Sequence, residues 1–270
     1  MTRLVTSRGP VELRELNGLA ELQAAEDIQQ KVWGAGVHPK EMLIPVQHEG
    51  GLLAGAFTGS GEMVSLVFSF PTADPHVTHS QLLATLHEWR GLGIGTQLKW
   101  FQRQWCLARG ITHVRWTVDP LRAANAEINI RHLGGTTATY FPDYYGMMGG
   151  IDAGAPSDRF LIDWDLNSER VTTRVLGVPE DRGFSEECIA NFTVDGRPKL
   201  ASPTPFGHRV IIRIPENYIS LSKEEPGLAL TWRMQVRQLC QAYFSAGYVL
   251  IDFTRVNGPA YLLEKDWMRK

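Results

Sequence analysis

Residues 83–100 read LATLHEWRGLGIGTQLKW, and this stretch fixes how the chain around it is read. The apolar run from Ser80 to Leu86 predicts a strand. Leu98, Phe101, Trp105 and Ala108 recur at helical spacing and predict a helix that stops at Gly110. Arg90, Gly91, Gly93, Gly95 and Thr96 lie between the two. Alternating glycines let a backbone approach a ligand with no Cβ in the way. Free amides at a helix N-terminus, with the helix dipole behind them, favour phosphate oxygens. The fitting guest is a pyrophosphate, and the alternative is a tight strand-to-helix turn with surface glycines.

Toward the N-terminus, Val11 to Leu16 alternates as a strand, and Leu19, Leu22, Ala25, Ile28 and Val32 follow at helical spacing up to Gly34. Gly51–Phe57 and Met63–Phe70 flank a Gly59-Ser60-Gly61 turn and predict a hairpin, with Val64, Leu66, Phe68 and Phe70 on one face. Toward the C-terminus come a strand from Ile111 to Val118 closed by Asp119-Pro120, and a helix with Ala126, Ile130 and Leu133 on one side ending at Gly134-Gly135. Aromatic-rich strands around Tyr140 and from Phe160 to Leu166 follow. Residues 167–207, broken by Pro179, Gly183, Gly196, Pro198, Pro203 and Pro205, read as a connecting segment. Residues 208–270 read as strand Val210–Ile214, a helix from about Leu228 to Ser245, and strands Tyr248–Thr254 and Ala260–Leu263. The fold class is α/β with a mixed sheet, divided into a domain at 1–166, the connecting segment, and a β-α-β-β extension. That extension is either a worn second copy of the first strand-helix-strand unit or an unrelated appendage.

With 270 residues, 43% hydrophobic and 21% charged, the chain is an ordinary globular one. Its 27 basic against 29 acidic residues leave a net charge of −2, so nothing global draws it to nucleic acid or an anionic membrane. No apolar run reaches the ~20 residues of a membrane span, and the start has no signal-peptide stretch, so the expected location is cytoplasmic. Cys106, Cys188 and Cys240 are far apart and read as reduced, packed thiols, with no metal site expected.

Three phosphate-binding patterns compete for the loop. Walker A needs Gly-Lys-Ser/Thr, and no lysine stands between Arg90 and Gln97. The dinucleotide pattern needs glycine at Thr96 or Leu98, although Asp119 lies about where a ribose-binding acid would. Arg90, Gly93 and Gly95 match [Arg/Gln]-x-x-Gly-x-Gly. Here the sequence resembles the GNAT acyltransferases, through Leu83–Gly95, through Ala124-Asn125-Ala126 opening a helix that ends at Leu133-Gly134, and through the order of elements up to residue 166. VDPLRAANAEINIRHLGG, with Tyr144-Tyr145-Gly146 and Ser157-Asp158-Arg159, further resembles a subgroup of predicted acetyltransferases that carry a C-terminal extension.

The resemblance implies acetyl-CoA as co-substrate and direct acetyl transfer to an amine, in this reading that of a small molecule, with a homodimer left open. It implies pyrophosphate on Arg90, Gly91, Gly93, Gly95 and Thr96, the pantetheine arm paired with backbone near Ala84 and Thr85, and the CoA arm touched by Asn125. It places a base where His79 stands, or leaves His79 as a strand-end histidine in solvent; His87 and Glu88 serve local structure. The family's acid is a helix tyrosine, but Asn129 or Ile130 holds that place. Tyr144 is then the acid of choice, with Tyr140 and Tyr145 as alternatives, or the thiolate leaves without help. Asp119, Asp143, Tyr144 and Tyr145 are candidate pocket residues for a cationic or aromatic amine, and Arg122 or Arg159 for a substrate carboxylate; Asp158 beside Arg159 also suits a structural ion pair. A non-catalytic acyl-CoA-binding or sensory module is the second reading, and dinucleotide binding the third.

Overall fold

Apolar alternation and two long apolar runs build the sheet of the first compact unit, Met1–Trp116. Its strands are β1 (Thr2–Thr6), β2 (Gly9–Glu15), β3 (Leu52–Thr58), β4 (Met63–Pro71), β5 (Val77–Thr85) and β6 (His113–Val118). Consecutive strands are neighbours, antiparallel from β1 to β5, while β5 and β6 run parallel. The computed structural model describes residues 2–34, 37–146, 156–181, 183–184, 189–201 and 204–268.

From Met63 through Ser69 every residue of β4 is buried, so this strand has no solvent face. One face receives helix α3 (Ile94–Leu107), whose Lys99 reaches Ser80 on β5. The other receives α1 (Gly18–Trp33) and the segment leading into α2 (Lys40–His48), where His38 packs edge-on against Phe68 with ring centroids 5.6 Å apart. A strand covered on both faces reads as a continuous apolar run. α1 ends as expected, with Gly34 at φ 73° and its amide on the Gln30 carbonyl. α2 has no counterpart in the apolar periodicity: Pro45 interrupts it, and Leu43 is the side chain it buries.

The second compact unit, Thr117–Lys270, begins with α4 (Ala123–Ala126), which widens into a π-turn over Glu127–His132. The antiparallel pair β7 (Tyr140–Phe141) and β8 (Arg159–Asp165) follows. The span read as a connector holds helix α5 (Glu169–Leu176), capped by the Ser168 hydroxyl, and the hairpin β9 (Asn191–Val194) and β10 (Arg197–Leu200). Periodicity misses the two strands because they bury so little apolar surface, and α5 is only eight residues long. β9 buries Asn191, β10 buries Pro198, and α5 buries Val171 beside an arginine, Arg174.

Arg174 and Arg170 donate to the carbonyls of Arg131, Ile130 and Gly134, which the π-turn leaves exposed at its end. β11 (Arg209–Arg213), α6 (Tyr218–Glu224), α7 (Pro226–Ser245), β12 (Tyr248–Thr254) and β13 (Ala260–Lys265) complete the unit. α7 buries Trp232, Val236, Leu239 and Tyr243 on one stripe, as its spacing predicts. β13 lies between β11 and β12 and is antiparallel to both, whereas β5 and β6 are direct neighbours. The extension therefore does not copy the β5-α3-β6 arrangement. Cys106 and Cys240 are buried free thiols, and burial pushes Cys106 up to about 12; Cys188 lies outside the described residues.

Candidate active site

The pairing of β5 with β6 covers Val77, Thr78 and His79 against His113, Val114 and Arg115, and there it stops while β5 runs on to Thr85. The β4–β5 register slips between Phe68/Leu82 and Ser69/Ser80, leaving Gln81 as an extra residue on β5. Such a bulge bends its strand. Past this fork, the edge from Ser80 to Thr85 is left without its β6 neighbour. Ala84 is held from the β4 side, its carbonyl accepting from the Ser65 hydroxyl at 2.6 Å, and the hydroxyls of Ser65 and Thr85 are 2.8 Å apart.

The chain leaves β5 through a single 3-10 turn at His87–Trp89, in which His87 and Glu88 lie. Gly91 and Gly93 both take φ +76°, a conformation that disfavours a side chain, with open space where a Cβ would stand. Gly93 opens α3 with no side-chain cap, and the first turn holds no acidic residue. The first-turn amides thus face the loop with the positive end of the helix dipole behind them. A Cβ on Gly95 would stand 3.3 Å from Leu83 and 3.7 Å from the Thr85 hydroxyl, where helix meets strand. Arg90 is exposed and donates to the Thr85 carbonyl at 3.2 Å, so its guanidinium lies back over the end of β5. Thr96 is half-buried on the first turn of α3. The loop residues picked out in the sequence are thus brought together beside the free edge of β5.

His79 occupies the last paired position before the fork and stacks on Phe70 at 4.9 Å. Burial, and secondarily the charge of Lys99, hold its imidazole below the ordinary histidine range. It is not the solvent-facing strand-end histidine of the alternative reading.

In the second unit, Asn125 is exposed on α4, while Ile130 is buried and Asn129 half-buried. Tyr140 donates to Asp158 at 2.5 Å, and burial with that carboxylate holds its proton well above the ordinary phenol range. Tyr145 bonds Thr117 at 2.9 Å. Tyr144 stacks on Phe141, and both it and Tyr145 are 48% exposed.

Asp119 is closed to ligands. The buried Arg233 clasps its two carboxylate oxygens at 2.8 Å each, so it serves neither a ribose nor a cationic acceptor. Nor do Asp158 and Arg159 form the expected side-chain ion pair. The Asp158 carboxylate is held by Arg237 and Tyr140, and Arg159 donates to the Asp158 backbone carbonyl. No local spacing forecasts these pairings, because Arg233 and Arg237 come from α7, far along the chain. Asp119→Ala leaves Arg233, 1% exposed, without its carboxylate. The expected loss is about 3–5 kcal/mol of unfolding free energy by chemical denaturation, and a loss under about 1 kcal/mol overturns this account.

Among the described residues, no group of three or more His, Cys, Asp or Glu side chains is placed to hold a metal ion. No helix among them is long and apolar enough to cross a membrane.

Solved structures that resemble the chain include the ribosomal-protein-S18-alanine N-acetyltransferase of Escherichia coli, 16% identical, covering 65% of this chain and 99% of that one with a TM-score of 0.49. Ard1 from Thermoplasma volcanium is 15% identical over 57% of this chain and 95% of its own, with a TM-score of 0.46. An aminoglycoside 6'-acetyltransferase type Ii is 15% identical over 57% and 97%, with a TM-score of 0.48. No curated protein matches the chain by sequence. The family model described as the acetyltransferase (GNAT) family matches residues 19–127, a span that holds β3 to β6, the fork and the glycine loop. Residues 19–127 belong to the acetyltransferase (GNAT) family.

Proposed function

We propose that the chain is an acetyl-CoA-dependent N-acyltransferase that moves an acetyl group directly from the thioester to an amine, here that of a small molecule. The observation that carries this reading is the conjunction of the uncapped start of α3, with glycines at φ +76° in front of it, and the free edge of β5 beyond the fork. The loop from Arg90 to Thr96 holds the pyrophosphate, Arg90 adding charge-assisted bonds. The pantetheine amides pair with the β5 edge near Ala84 and Thr85 as an added strand would. For Asn125 on the CoA arm, the support is the family resemblance together with its exposure; for Tyr144 as acid, it is its exposure and its place between Asp143 and Gly146, since the family's own acid position holds no tyrosine here.

An amine is protonated at pH 7 and attacks only after losing a proton. His79, kept neutral by burial, takes that proton. The nitrogen then bonds to the carbonyl carbon, the carbon–sulfur bond breaks, and the thiolate takes a proton from Tyr144 or water. No metal and no covalent enzyme intermediate enters this sequence.

Titration calorimetry with acetyl-CoA tests the donor site. The expected stoichiometry is one per chain, since the extension has no second glycine loop: the stretch from Pro215 to Pro226 carries Glu216, Glu224 and Glu225, which repel phosphate. Two molecules per chain, or tight binding of NAD in place of acetyl-CoA, overturns the reading. Buried Ile130 at the family's acid position favours one second reading, a non-catalytic acyl-CoA-binding or sensory module. Release of free CoA thiol across a panel of small amines excludes that module, and binding without release supports it.

A further inference from the structure

Lys99 is 3% exposed, and it enters the interior from α3 just where β5 and β6 part. Its Nζ donates to the Ser80 hydroxyl at 3.1 Å and to the Gln102 amide oxygen at 2.7 Å, and stands 3.9 Å above the Trp116 ring. Ser80 is the first β5 residue past the last rung of the ladder, and Trp116 is the first such residue on β6. One side chain therefore grips both arms of the fork at its crotch. A sequence signal for it existed: residues 98, 99, 102, 105 and 106 share the face of α3 that is buried, and a lysine stands among them.

Burying an ammonium is costly, and burial draws this one down to about 7. A methionine would fill the same volume without that cost. A lysine here is therefore a poor choice for stability alone. Groups that a fold retains against local stability concentrate at functional sites.

We infer that Lys99 is a positioning residue that keeps β5 and β6 apart, holding the β5 edge open for the acyl-donor arm. The donor's role rests on the reading proposed above. Without the grip, the two strands are free to add further rungs past His79 and Arg115, consuming the edge that the donor needs. Lys99 touches no reacting atom in this account and acts through the strand edge.

The test compares the full-length protein with Lys99→Met. Three results are expected: a thermal midpoint equal to or above the parent's, acetyl-CoA affinity weakened roughly tenfold or more, and slowed hydrogen exchange at the amides of Ser80–Leu82 in the absence of ligand as new rungs form. A purely structural role for Lys99 gives the reverse pattern, a lowered midpoint with unslowed exchange, and that overturns the inference. So does unchanged affinity in a protein whose parent binds acetyl-CoA. If the parent does not bind acetyl-CoA, the donor reading fails by itself and the exchange measurement still judges the fork. Should Lys99→Met not fold, Ser80→Ala removes the grip from the strand side. It is expected to weaken acetyl-CoA binding, and unchanged affinity in that variant overturns the inference.

Discussion

Gly93→Asp is expected to abolish acetyl-CoA binding with the fold intact. The position has φ +76° and open space where the new Cβ would stand, so the substitution meets no clash in the free protein. The left-handed conformation costs about 1–2 kcal/mol for most residues and less for aspartate, whose side chain bonds locally in that region. An aspartate at the start of a helix also accepts bonds from first-turn amides. That bond is the source of the functional loss. The carboxylate takes the donors meant for the pyrophosphate and sets a like charge at the closest backbone approach. The expected loss of affinity is at least about 100-fold, or roughly 2.7 kcal/mol, measured by calorimetry beside circular dichroism. Gly93→Ala carries the backbone cost without the charge and should lose much less. A dissociation constant within a few-fold of the parent's in Gly93→Asp would sink the assignment of this loop.

His79→Ala is expected to lower turnover on the order of 100-fold or more while acetyl-CoA affinity holds, since a positioned base contributes about that much to an acid–base step. The pH profile separates this loss from a packing defect. The imidazole accepts a proton when neutral, and burial with the Lys99 charge depresses its pKa below the ordinary 6.5. In the parent, turnover should therefore fall as pH drops through a value below 6.5, and this limb should vanish in His79→Ala. The stack on Phe70 is lost in the same variant, so His79→Phe, which keeps a ring there, serves as the control. Recovery of turnover in His79→Phe, or an unchanged rate in His79→Ala, assigns the base to ordered water or another group.

The strands and helices with strong periodicity were legible in the sequence: the β3–β4 hairpin, α1 with its Gly34 stop, and the α7 stripe of Trp232, Val236, Leu239 and Tyr243. So was the loop, because φ > 0 at Gly91 and Gly93 demands a residue type that is visible as a letter. Strands that bury little, such as β9 and β10, left no periodic trace, and α5 is too short and too charged to stand out beside the longer helices.

Charge pairing was illegible for a different reason. Asp119 looked available until Arg233 closed on it from 114 residues away, and Asp158 passed over its neighbour Arg159 for Arg237. The sequence by itself determined where backbone amides gather and which of the strongly periodic segments are strand or helix, since those depend on local conformational preference and on burial that repeats with a fixed period. Only the tertiary structure decided which carboxylates are occupied, that His79 is partly withdrawn from water, and that Lys99 stands at the fork. Those facts rest on which distant groups share a low-dielectric space, and sequence spacing carries no record of that distance.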